Sequence, residues 1–181
     1  MVFSEEQDAK RVREVLARRL DRYGLTLHPE KTRLVRFGRP RHDGKGPQPG
    51  TFDFVGFTLY WGRSRRGLWA LKVKTVKSRL TRSLRALKEW MARNRHAPIA
   101  VQAAVLAVKL RGHYNYYGVP GNSQSIARFS HEAAKRWKRA LSRRSQRYLT
   151  WKRFKAILHR NPLPPARLPP WRHRQLRLAN V

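Results

Sequence analysis

Apolar residues recur along this chain in two styles, one of helical spacing and one alternating. Val12, Leu16 and Leu20 fall four apart and predict an amphipathic helix. Ser4-Glu5-Glu6-Gln7 ahead of them has the form of a capping box, and Gly24 supplies a stop. Residues 25–27 and 32–37, around His28-Pro29, read as an extended segment and a strand, and the glycine- and proline-rich residues 38–50 as a loop. Over residues 51–61 the period drops to two. Phe52 and Phe54 share one phase, and Phe57, Leu59 and Trp61 share the other. The change of phase at Gly56 predicts a β-bulge or a close backbone approach within one strand. Residues 62–67 read as a turn and residues 68–74 as the partner strand of a hairpin.

Helical spacing then takes over. Val76, Leu80, Leu84, Leu87 and Met91 predict a long amphipathic helix. Pro98 suits the first turn of a second, with Ile99, Leu106 and Leu110 on its apolar side. After a turn over residues 118–125, Ile126, Phe129, Ala133, Trp137 and Leu141 stripe a third. A short fourth helix starts near Thr150, with Phe154 and Leu158 facing inward. Residues 162–170 hold five prolines and should be extended. The expected fold class is α+β, with residues 1–74 as a helix, strands and β-hairpin, residues 75–161 as a helical bundle, and residues 162–181 as a proline-rich basic tail.

Charge narrows the function. Lysine and arginine total 42 against 10 acids, a formal net of +32. Residues 1–30 hold six of each sign, so the later residues carry 36 bases and only Asp43, Asp53, Glu89 and Glu132. Positive charge this dense repels itself unless a polyanion neutralises it, and nucleic acid is the usual partner. No helix shows the clean basic and apolar split of a membrane-surface anchor, and the longest uncharged apolar run, residues 97–108, is too short to span a bilayer. The start of the chain lacks the form of a secretory signal, and the absence of cysteine excludes disulfides and thiolate zinc sites, so the cytoplasm is the expected location.

The basic residues most open to RNA are Arg63, Arg65 and Arg66, a triplet on the hairpin turn, where side chains project freely and arginine forks can grip phosphate. Lys74, Lys77, Arg82, Arg85 and Lys88 fall largely off the apolar stripe of the first long helix, where only Glu89 offers relief. A solvated helix face is the ordinary reading of such a run, but cations without partners favour an external polyanion. Arg143, Arg144, Arg147, Lys152 and Arg153 extend the basic surface. Tyr114, Tyr116 and Tyr117 could stack on unpaired bases, although their place at the end of an apolar helix favours packing. Tyr116, out of phase with the other two, is the one expected outside.

Three blocks carry a resemblance. Gly24-Leu-Thr-Leu-His-Pro-Glu-Lys-Thr32 resembles the sixth conserved block of group II intron reverse transcriptases, and Phe52-Asp-Phe-Val-Gly-Phe57 resembles their seventh, the primer-grip hairpin. Leu110-Arg-Gly-His-Tyr-Asn-Tyr-Tyr117, followed by Gly-Val-Pro-Gly-Asn, is similar to the core of their thumb, also called the maturase or X domain. The blocks stand in the family's order over nearly the whole chain. The resemblance implies the C-terminal strip of a palm followed by an α-helical thumb, and it would put Lys31 near the phosphates of an incoming nucleotide. It also implies a Tyr-Ala-Asp-Asp motif just ahead of residue 1, and the sequence contains none.

Two-metal phosphoryl transfer needs carboxylates converging on ions about 4 Å apart, and the scattered acids here do not suggest such a set. The seven histidines show no ligand spacing, and there is no phosphate-binding glycine loop or nucleophile elbow. The expectation is therefore a chain that is not an enzyme on its own, with no cofactor, and Mg2+ only if a catalytic palm complements it. As a partial maturase it would grip group II intron RNA for splicing. The alternatives are a non-catalytic part of a split or truncated RNA-directed DNA polymerase, with an RNA–DNA duplex or the missing reverse-transcriptase portion as further partners, and a non-functional remnant.

Overall fold

The spacing of Val12, Leu16 and Leu20 becomes helix α1 (Glu6–Asp21), and the alternating stretches become strands β1 (Phe52–Phe54), β2 (Phe57–Arg63) and β3 (Trp69–Thr75). Four helices follow: α2 (Lys77–Arg93), α3 (Ile99–Tyr117), α4 (Ser123–Arg144) and α5 (Trp151–Arg160). The computed structural model describes residues 1–28, 32–40, 49–144 and 148–168. Among these the fold is mixed α+β, five helices with one antiparallel sheet of order β1-β2-β3. The chain divides into two compact units, one of Met1–Phe52 and Tyr60–Leu71, the other of Asp53–Leu59 and Lys72–Val181.

In the first unit, α1 is capped by Glu5 rather than Ser4, and no side chain bonds to its N-terminus, so the expected capping box does not form. Its stop is as expected: Gly24 adopts φ +67°, and the Leu25 N–H returns to the Leu20 carbonyl at 3.0 Å. The strand expected over residues 32–37 is absent. Those residues have no regular secondary structure because their backbone is held by scattered donors rather than a neighbouring ladder. The Arg36 carbonyl accepts from the Gly50 N–H at 3.0 Å, and the Phe37 carbonyl from the Trp61 indole at 3.0 Å, while the Phe37 ring meets Phe52 edge-on at 4.6 Å. Of the loop expected over residues 38–50, residues 41–48 lie outside the described set.

The single bulged strand expected over residues 51–61 is instead two strands joined by a tight turn. Val55 and Gly56 both take positive φ, +48° and +82°, the pattern of a two-residue hairpin turn whose twist matches the strands. A Cβ on Gly56 would meet the Tyr117 ring at 3.4 Å, an ordinary contact. Positive φ, rather than a close backbone, is therefore what requires glycine there. Val55 is the unusual member, since a β-branched side chain in this region is sterically strained. Replacing Val55 with Asn, which tolerates the left-handed region, should stabilise the fold by about 1 kcal/mol. The denaturant midpoint would show it.

The second unit is built around a helical core. Leu80, Leu84, Leu87 and Met91 of α2, Leu106 and Leu110 of α3, and Ile126, Phe129, Ala133, Trp137 and Leu141 of α4 form one buried cluster with Phe154 of α5. Helix α2 packs chiefly on α4. Two polar residues are fully enclosed. Gln102 accepts from the Trp137 indole at 3.0 Å and donates to the Ala97 and Arg95 carbonyls at 2.8 and 3.1 Å. Asn122 accepts from the Thr75 N–H at 3.0 Å and donates to the Thr75 hydroxyl and the Tyr117 carbonyl at 2.9 and 2.8 Å. This ties the end of β3 to the α3–α4 turn.

Thr150 caps α5 by accepting from the Arg153 N–H. The Lys138 ammonium of α4 lies over the rings of Tyr148 and Trp151, 4.5 and 5.1 Å from their centres. Residues 162–168 have no regular secondary structure, and Leu163 and Leu168 pack on the core. No helix among the described residues is long and apolar enough to cross a membrane.

Candidate nucleic-acid interface

Burial of the α2 stripe dictates what that helix presents outward. With Leu80, Leu84, Leu87 and Met91 inside, Lys77, Arg79, Arg82, Arg85 and Lys88 are all exposed. Arg85 is paired with Glu89 at 3.5 Å. Among the described residues, Lys77, Arg79, Arg82 and Lys88 have no ionic partner. Lys74 is exposed but lies in β3, not on the helix, because the strand runs on to Thr75 before α2 begins.

The three acids of this unit are all engaged. Glu89 holds Arg85, Asp53 accepts from the Thr58 hydroxyl at 2.6 Å, and Glu132 is bound by Arg136 and, at 3.9 Å, by Lys135. The Arg136 hydrogen bond holds the Glu132 carboxyl below the usual carboxylate range.

The hairpin triplet is less uniform than its sequence suggests. Arg63 does not project freely: its guanidinium donates to the Gly67 carbonyl at 2.8 Å and lies 4.2 Å from the centre of the Trp69 ring. Arg65 and Arg66 are exposed on the turn and make no hydrogen bond or ion pair among the described residues. Arg143 and Arg144 end α4, where the helix dipole favours cations in any case. Arg144 also donates to the Ala97 carbonyl at 3.0 Å. Lys31 and Arg147 lie outside the described residues.

Around α2 the second unit has two neighbouring cavities with a shared wall. The first, about 570 Å³, is lined by Ser78, Arg79, Arg82, Asp53 and the Val55–Gly56 turn. The second, about 450 Å³, is lined by Ser83, Ala86, Lys109, Gly112, His113 and Phe129. Tyr116 and Tyr117 line both. Tyr116 is 54% exposed, in keeping with its phase. It is nonetheless fixed, its hydroxyl donating to the Val55 carbonyl at 3.3 Å and its ring lying parallel to Phe57. Tyr114 is buried and Tyr117 half-buried.

The folded structure thus brings Arg82 and Tyr116 together and adds Arg79, Ser78 and Asp53, which sequence reasoning did not select. Arg79 was within reach, since it stands three residues before Arg82 on the same helix. His113 was also missed as a site residue. Its ring stacks on Phe129 with centres 3.5 Å apart, and its Nε2 is buried without a hydrogen-bond partner among the described residues.

Burial pulls the His113 imidazole down to about 4, so it is neutral in the folded protein. The unfolded chain, with an ordinary histidine, takes up a proton first as pH falls. Stability from this site is therefore complete above about pH 6.5 and lost between there and pH 4, at most about 3 kcal/mol. The Glu132 contribution has the opposite origin, a lowered carboxyl, and fades only below the usual carboxylate range. Denaturation at pH 7 and pH 4.5 should show the loss, and His113→Phe should flatten it.

No group of three or more histidine, aspartate or glutamate side chains among the described residues is placed to hold a metal ion. Comparison of the chain with protein-family models, with curated proteins and with solved structures gives no match.

Proposed function

We propose that this chain binds structured RNA, in the manner of the palm strip and thumb of a group II intron maturase, and that group II intron RNA is its partner. One observation carries the reading. The outward-facing α2 cations Lys77, Arg79, Arg82 and Lys88 have no ionic partner among the described residues, while Glu89 and Glu132 of the same unit are ion-paired elsewhere and Asp53 accepts from Thr58. A surface of that kind is electrostatically incomplete until a polyanion covers it. Tyr116, exposed beside Arg79 and Arg82, adds a flat apolar surface for sugar or base. The strained Val55–Gly56 turn at the same place fits a functional position, where backbone strain tends to gather. The three blocks that resemble group II intron reverse transcriptases supply the choice of RNA. Recognition would rest on phosphates and 2′-hydroxyls, because the A-form major groove is too narrow for a helix. The role assigned is binding, not catalysis.

Replacing Arg79 and Arg82 together with Ala should weaken RNA binding by roughly tenfold or more, as each charge-assisted phosphate contact is worth about 1 kcal/mol or above. Both residues are exposed, so unfolding free energy should move by no more than about 0.5 kcal/mol for each. Titration of labelled intron RNA alongside denaturant melts measures the two quantities. Unchanged affinity in a folded double variant would remove this face from the interface. The binding surface would then have to be sought at Arg65 and Arg66.

A further inference from the structure

We propose that the cavity beside His113 receives one unpaired base of the bound RNA, whose backbone phosphate lies at Arg79 and Arg82 in the neighbouring cavity. This rests on the RNA-binding reading and deepens it. The two cavities differ in chemistry as the two ends of a nucleotide do. The first carries a net positive charge, with two arginines and a serine hydroxyl against one carboxylate, Asp53, which accepts from Thr58. The second is walled by the half-buried Tyr117 ring and the small residues Ala86 and Gly112, and is floored by the buried His113 and Phe129 rings, which stack on each other. Tyr116 and Tyr117 stand between them, where a ribose would pass. Lys109 lines the second cavity and adds a cation beside the aromatic surfaces, which suits an anionic chain and disfavours a basic peptide. Its volume is within the range of ligand-binding clefts, about 300–1,000 Å³.

Gly112 is an independent sign. It lies within α3, has no positive φ, and a Cβ there would meet nothing within 4 Å. Neither backbone geometry nor packing therefore calls for glycine, although glycine weakens a helix relative to alanine. Its effect is to leave the cavity open on the α3 side. Unpaired bases stacked on aromatic side chains are the common means by which proteins read single-stranded or bulged RNA.

The test uses the full chain and two RNA hairpins closed by the same stacked tetraloop, one with a fully paired stem and one whose stem carries a single bulged 2-aminopurine. The wild-type protein should bind the bulged hairpin more tightly and change the fluorescence of the bulged base. Gly112→Leu puts a side chain into the cavity from a position where a Cβ meets nothing within 4 Å, and by replacing glycine within a helix should keep or raise thermal stability. It should weaken binding of the bulged hairpin by roughly tenfold, as expected for one lost stack, and abolish the fluorescence change. Affinity for the paired hairpin should stay the same. Ala86→Leu fills the cavity from α2 and should act alike, which guards against a defect peculiar to one variant. If both variants bind the bulged hairpin as the wild type does, or the wild type leaves the fluorescence unchanged, the base site is wrong while RNA binding stands. If the wild type binds neither hairpin, the RNA reading itself falls, and the base site with it.

Discussion

Raising monovalent salt from 50 to 200 mM should weaken binding of this chain to structured RNA by roughly 100-fold. The figure follows from four α2 cations that have no ionic partner among the described residues and lie off its buried stripe, Lys77, Arg79, Arg82 and Lys88; Arg93, at the helix end, is left out of the count. Each phosphate neutralised contributes about 0.7 to 0.9 to the slope of log K against log salt. Four contacts and a fourfold rise in salt give about two decades. Cations elsewhere on the chain would steepen the response, so 100-fold is a lower expectation. The same measurement on the Arg79→Ala, Arg82→Ala double variant should give a slope shallower by about 1.4 to 1.8. A flat response in the wild type would mean that the surplus charge is spectator charge, and the argument from electrostatics would fail at its base.

The largest effect on folding should come from Trp137. It is fully buried, lies edge-on to Phe154 with ring centres 5.7 Å apart, and donates its indole N–H to Gln102. Trp137→Ala should destabilise the bundle by about 3–5 kcal/mol, the range for deleting a large aromatic from a packed core. Trp137→Phe separates the two contributions. It keeps much of the apolar volume but leaves the Gln102 carbonyl oxygen buried without its donor, at a cost of about 1–3 kcal/mol. Urea denaturation of the three proteins resolves the difference. If Trp137→Phe were neutral, Gln102 would have to be satisfied in another way, and its position between α3 and α4 would not be what fixes their packing.

How much of this could be read from the sequence depended on contrast. In α2 and α4 large apolar residues stand every three or four positions among charged ones, so the stripes from Leu80 to Met91 and from Ile126 to Leu141 could be read residue by residue. Helix α3 has little such contrast. From Ile99 to Leu110 it is nearly all apolar, so nothing in the pattern marked Gln102 as buried or Gly112 as lining a cavity. The turn at Val55–Gly56 was misread as a bulge or a close backbone approach within one strand, because its first residue is not the Asn or Asp that usually announces a tight hairpin. Lys74 reads both as the end of the strand over residues 68–74 and with the basic residues of the following helix, because the boundary between β3 and α2 has no glycine or proline to mark it. The first cavity joins Asp53, Arg79 and Tyr116, residues far apart in the chain, and local periodicity cannot bring such positions together. Charge, by contrast, needs no folding to be counted, and the scarcity of acids beyond Glu30 was plain from the start.

That scarcity has a consequence for how long a copy of the protein lasts. A ligand that binds only the folded state adds RT ln(1 + [L]/Kd) to its stability, about 2.7 kcal/mol at a hundred times Kd. On the RNA reading, a bound copy is therefore more resistant to unfolding than an idle one, and it also sheds the mutual repulsion of its own cations. Turnover by proteases that act on opened chains follows the population of those openings. Idle copies would be cleared first, and the amount of protein would track the amount of its RNA without any dedicated regulator.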